Sequence, residues 1–86
     1  MGTDYSQSFE PGSVARKHML RMAKELQEEG HVYSAIYLLK RLLEDYPETP
    51  ESRIAVREYA ALGEYLEKQG MVHTALSMYE WLEQLA

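Results

Sequence analysis

Eighty-six residues suffice for one domain, and a chain this short buries only about 60 to 65% of the surface its unfolded form exposes, so its stability is modest. With 45% apolar and 27% charged residues the composition is that of a folded globular domain, not a disordered acidic tail or a membrane span. The absence of cysteine excludes disulfides, a thiolate nucleophile and any cysteine-ligated metal, and a net charge of −5 argues against a general affinity for phosphate backbones.

That charge is unevenly spread. Residues 1–41 hold six bases and five acids, whereas residues 42–86 hold three bases and nine acids. The opening residues lack the basic and greasy regions of a signal peptide, which points to a cytoplasmic protein. Met1-Gly2-Thr3-Asp4-Tyr5-Ser6 fits the loose pattern for N-myristoylation, but an ordinary flexible start is the preferred reading. Residues 1–12 are polar, end in Pro11-Gly12 and show no apolar period, which predicts a flexible leader before a helical domain over 13–86.

Four helices follow in chain order. Ser13 offers an N-cap, and Ala15, Met19, Met22, Ala23 and Leu26 form one stripe that Gly30 brings to a stop, predicting a helix over 13–29. Val32, Ala35, Ile36, Leu39, Leu42, Leu43 and Tyr46 repeat at helical spacing over 31–46, where Pro47 ends the run. Thr49 can cap a third helix with Pro50 at its first position, so Pro47-Glu48-Thr49-Pro50 is a helix junction in preference to a PxxP ligand. The third helix, 50–69, carries Ala55, Tyr59, Leu62, Gly63 and Leu66 on one face; the fourth, 71–85, carries Val72, Ala75, Leu76, Tyr79 and Leu82. No stretch alternates with period two, so the fold class is all-α.

Shifting the sequence by forty residues superposes Leu26 on Leu66, Gly30 on Gly70, Val32 on Val72, Ala35 on Ala75 and Leu42 on Leu82. A fixed period of this kind marks a helical repeat. In each half a glycine closes one helix, and an alanine five residues later lets the next lie close against it, which makes two stacked antiparallel hairpins.

These residues resemble the tetratricopeptide repeats. The family's pattern of a bulky residue, Leu-Gly, an apolar residue, a turn glycine, an apolar residue, alanine and an aromatic is met by Tyr59, Leu62-Gly63, Leu66, Gly70, Val72, Ala75 and Tyr79. In the first half Met19, Met22-Ala23, Leu26, Gly30, Val32, Ala35, Leu39, Leu42 and Pro47 fill the same places. The likeness covers residues 16 to 86, with a period of forty where the family's is thirty-four and with two repeats where arrays usually have more. It implies a fragment of a right-handed α-α superhelix whose first and third helices line a concave groove for a peptide or partner protein. By that correspondence the groove takes Lys17, Leu20, Arg21, Lys24 and Gln27 from the first helix and Arg57, Ala60, Ala61, Glu64 and Lys68 from the third. The asparagine and lysine set with which some members grip a terminal carboxylate is not reproduced.

The residues themselves give little support to catalysis. There is no phosphate-binding or dinucleotide-binding glycine motif and no His-Glu-x-x-His; His18, His31 and His73 lie on different elements, and Glu28-Glu29 and Glu44-Asp45 diverge around their helices. The chain is read as no enzyme, with no cofactor and no metal. Arg16, Lys17, Arg21 and Lys24 give the first helix a positive face, which suits an acidic partner segment through charge-assisted hydrogen bonds. The fourth helix has a second apolar line, Met71, Met78, Trp81 and Leu85, which is a candidate second interface, for example for a homodimer, unless Trp81 folds onto the domain's own core. Tyr33 and Tyr37, one turn apart, are expected to pack on the third helix. The sequence therefore points to an interaction module serving as adaptor, scaffold or assembly chaperone. A regulatory or stabilising subunit of an enzyme complex is the alternative, and a helix-turn-helix-like nucleic-acid binder is disfavoured by the acidic balance.

Overall fold

The computed structural model describes residues 11–85, which form four helices: α1 (Pro11–Glu28), α2 (Val32–Asp45), α3 (Pro50–Lys68) and α4 (Val72–Leu85). No strand occurs among the described residues. Most of the expected leader and the N-myristoylation pattern lie outside them. Its last two residues, Pro11 and Gly12, belong to α1, so Ser13 is inside the helix and does not cap it. The reason is local: proline lacks the N–H that a first turn would leave unpaired, and its fixed φ already suits a helix.

The two turns inside the hairpins are built alike. Gly30 and Gly70 adopt φ of 88° and 89°, the left-handed conformation that glycine enters without a Cβ penalty. Gly30 N–H then donates to the Gln27 carbonyl at 3.0 Å and His31 N–H to that of Leu26 at 2.8 Å; Gly70 and Met71 repeat this on Glu67 and Leu66 at 3.0 and 2.9 Å. Both are Schellman closures, in which two carbonyls orphaned by the helix end recover donors.

The turn between the hairpins is of another kind. Tyr46 leaves the helical region at φ −133° ahead of Pro47. Glu48 takes φ 61°, a conformation uncommon outside glycine. A capping box then starts α3: Ser52 N–H donates to Thr49 Oγ1 at 3.1 Å, and Thr49 N–H donates to Ser52 Oγ at 2.9 Å. Pro47 and Pro50 are thereby committed to a helix junction.

Packing runs α1 on α2, α2 on α3 and α3 on α4, with a lighter contact between α1 and α3. The core holds Ala23 of α1, Ala35, Leu39, Leu42 and Leu43 of α2, Ala55, Tyr59, Leu62 and Leu66 of α3, and Met78 of α4. On α4 the buried stripe is rotated from the expected one: Ala75 and Met78 are inside, while Val72 and Leu76 are exposed. Among the described residues α4 has a helix on one side only, so Val72 and Leu76 have nothing to pack against.

Candidate functional site

The first helix carries four bases, and they do not share one environment. Of its four bases, Arg16 is turned inward, and its Nε donates to Glu51 Oε1 at 2.7 Å with both side chains about a tenth exposed. The Arg16 guanidinium also lies 5.7 Å from the Tyr46 ring centroid. This ion pair joins α1 to the first turn of α3, where a carboxylate is also favoured by the helix dipole. The Arg16 hydrogen bond holds the Glu51 carboxyl below its ordinary value, against a smaller opposing effect of burial.

Beyond this pair the two helices leave a groove of about 310 Å³ between them. Its floor is apolar, with Leu20 and Ala23 of α1, Leu39 of α2 and Ile54 of α3; Arg21, Lys24 and Gln27 form one rim and Glu58 the other. The volume is at the small end of the range for ligand pockets. Arg21 Nη2 donates to His18 Nδ1 at 2.9 Å, which steadies the rim.

Four of the groove positions expected on α1, Leu20, Arg21, Lys24 and Gln27, therefore come together, and Lys17 stands exposed outside the lining. On α3 the lining differs. Ile54 and Glu58 make the wall, whereas Arg57, Ala61, Glu64 and Lys68 are exposed elsewhere and Ala60 is half-buried. Sequence spacing identifies the buried stripe of α3 but not which of its flanks faces α1, the flank on which Glu51 meets Arg16. The signal available was an acid in the first turn of α3 opposite a basic run.

The second candidate patch divides. Met78 is buried, and Trp81 is half-buried against Tyr59, 5.2 Å away between ring centroids, with the Lys40 ammonium 5.0 Å from its own centroid. Only Met71 and Leu85 of that line are exposed. Trp81 is thus held by α2 and α3. Burial also raises the Tyr59 phenol above its ordinary value.

Tyr33 and Tyr37 correct the expectation in the other direction. Both are exposed, and neither belongs to the core that includes α3. Tyr33 donates to Met71 Sδ at 3.4 Å, and Tyr37 Oη accepts from Arg41 Nη1 at 3.1 Å. With Met22, Leu26, Ser34 and Leu38 they line a second, more open depression of about 430 Å³ on the α1–α2 hairpin.

His18, His31 and His73 are all exposed. No group of three or more His, Asp or Glu side chains placed to hold a metal occurs among the described residues, and no helix there is long and apolar enough to cross a membrane. Every buried side-chain nitrogen and oxygen among them has a hydrogen-bond partner. Comparison of the chain with protein-family models, with curated proteins and with solved structures finds no match in any of the three.

Proposed function

We propose that the chain is a tetratricopeptide-like interaction module that holds a segment of another protein in the groove between α1 and α3. The observation that carries this reading is the groove's composition: an apolar floor of Leu20, Ala23, Leu39 and Ile54 beneath a rim bearing Arg21 and Lys24. An apolar floor gives a partner side chain burial, and a fixed cationic rim orients a carboxylate by charge-assisted hydrogen bonds. The matching ligand is an amphipathic segment with apolar residues toward the floor and acids toward α1. Glu58 on the opposite rim disfavours an acid on that side and so sets the segment's rotation.

The module acts by standing still. Its helices are formed before the partner arrives, so most of the ordering cost falls on the partner. Adaptor, scaffold and subunit roles share this mechanism. Burial of Arg16 leaves Lys17, Arg21 and Lys24 as the exposed bases of α1, which weighs further against a nucleic-acid role.

The test is fluorescence anisotropy with two labelled synthetic peptides, one built from Glu and Leu at helical spacing and one with Lys in place of Glu. The Glu peptide binds and the Lys peptide does not. Arg21→Glu with Lys24→Glu weakens the Glu peptide about tenfold or more, equal to about 1.4 kcal/mol or more, without lowering the thermal midpoint. Equal affinity for both peptides, or no effect of the double substitution, overturns the groove reading.

A further inference from the structure

Among the described residues, the surface through which the hairpins stack is used once and displayed again on the α1–α2 hairpin and on α4. Where α2 packs on α3, the second hairpin's Leu62, Leu66 and Met78 are 1%, 3% and 4% exposed. Their counterparts forty residues earlier are Met22, Leu26 and Leu38, all of which line the open depression beside Tyr33 and Tyr37. Met22 is 39% exposed, so among the described residues the first hairpin lacks the cover that α2 gives the second. At the other end α4 repeats the covering helix: Val72, Leu76 and Leu82 stand where α2 has Val32, Ile36 and Leu42. Val72 and Leu76 are left outside the core there, at 46% and 50% exposure. One end of the molecule has the socket, and the other has the helix that fits it.

Charge follows the same polarity. α1 contains four bases and two acids, while α4 contains two acids and no base. The junction contact between Lys40 and Trp81 is also informative. Advancing both residues by one repeat puts Glu80 in the place of Lys40, and the counterpart of Trp81 in a following copy is Arg41. Arg41 is exposed and already binds Tyr37 and Asp45 at the surface, with donors enough for a further carboxylate.

We infer that the chain associates with itself head to tail, the α4 face of one copy docking on the α1–α2 depression of the next in continuation of its own repeat. The contact is heterologous, since two different surfaces meet, and a screw operation that does not close leads to open chains of copies rather than a closed dimer. Glu83 replaces the buried Leu43 at the equivalent place in α4. That charge in a place where the internal seam has a leucine makes the contact weaker than the internal one, and the association is reversible and concentration-dependent. This inference is independent of the groove, whose floor and rims lie between α1 and α3.

The test is sedimentation velocity of the full chain from micromolar to millimolar concentration, with two single-face variants, Tyr37→Glu in the socket and Leu76→Glu on α4. Both positions are exposed, so both variants keep the parent's circular dichroism and thermal midpoint. The parent's average mass rises beyond that of a dimer without a plateau. Each variant alone stays monomeric, and an equimolar mixture forms a one-to-one dimer and stops, because each variant keeps the face the other has lost. Arg41→Glu abolishes association, and Arg41→Glu with Glu80→Arg restores it, which tests the register without touching the apolar face. A parent that is monomeric throughout, a Tyr37→Glu variant that dimerises by itself, or a mixture of variants that remains monomeric overturns the inference.

Discussion

The two hairpins have the same plan but different surroundings. In the first, α2 lies between α1 and α3 and buries Ala35, Leu39, Leu42 and Leu43; in the second, α4 rests on α3 and buries Ala75 and Met78. Equivalent residues thus have unequal fates: Leu42 is fully buried, while its counterpart Leu82 is only partly so. A repeat fixes how each hairpin closes, through its glycine and alanine. How much an apolar side chain contributes depends on whether a neighbour covers it, since burial energy scales with the area removed from water.

Truncating the two counterparts tests this difference most directly. Leu42→Ala opens a cavity in the core of α2, which lies between α1 and α3, and is expected to cost about 3 kcal/mol or more, whereas Leu82→Ala costs about half as much because less area is lost. Urea denaturation followed by circular dichroism gives both values. Equal losses would mean that α4 is as enclosed as α2, and that the asymmetry between the hairpins is not real.

The Arg16–Glu51 pair crosses from one hairpin to the other, and its removal ranks next. Glu51→Gln strips Arg16 of an ionic partner in a site about a tenth exposed, for a loss of about 2 kcal/mol at neutral pH. The sign of its pH dependence follows from the lowered folded-state value. The stabilisation is complete above the ordinary glutamate value of 4.5 and disappears as pH falls through the lower value in the folded protein. Thermal midpoints of the parent and of Glu51→Gln should accordingly differ at pH 7 and converge in acid. A gap that persists at pH 2 would show that the pair is not its source.

What could be read from the sequence was what the chain determines locally. Gly30 and Gly70 close helices by their own backbone freedom, Thr49 and Pro50 start one, and Ala35 and Ala75 are small wherever they lie. Positions that depend on rotation about a helix axis were not legible in the same way. The pattern of α4 contains two apolar lines, and spacing does not say that Met78 turns inward or that Trp81 meets Tyr59 and Lys40. For the same reason Arg16 appeared as one more surface base, and the α3 wall fell to Ile54 and Glu58 instead of Arg57 and its neighbours. Helical periodicity identifies a stripe without identifying the element that covers it.

The smallest expected effect concerns how each hairpin solves the same close approach. The first uses Ala23 with Leu39 and the second Gly63 with Tyr79, at equivalent places. A Cβ on Gly63 would lie 2.7 Å from Tyr79 Cε1, so Gly63→Ala must displace the ring, whose hydroxyl donates to Glu67 at 3.0 Å. Overpacking of this kind costs about 1 to 3 kcal/mol, and replacing glycine by alanine within a helix returns about 0.8 to 1.0 kcal/mol, so the net loss is about 1 kcal/mol. Gly63→Ala with Tyr79→Leu copies the first hairpin's pair and should regain stability relative to Gly63→Ala alone. In a double-mutant cycle the two changes must therefore be non-additive in the favourable direction. Additivity would mean that the ring moves aside freely, and that the small residue in α3 owes its place to something other than Tyr79.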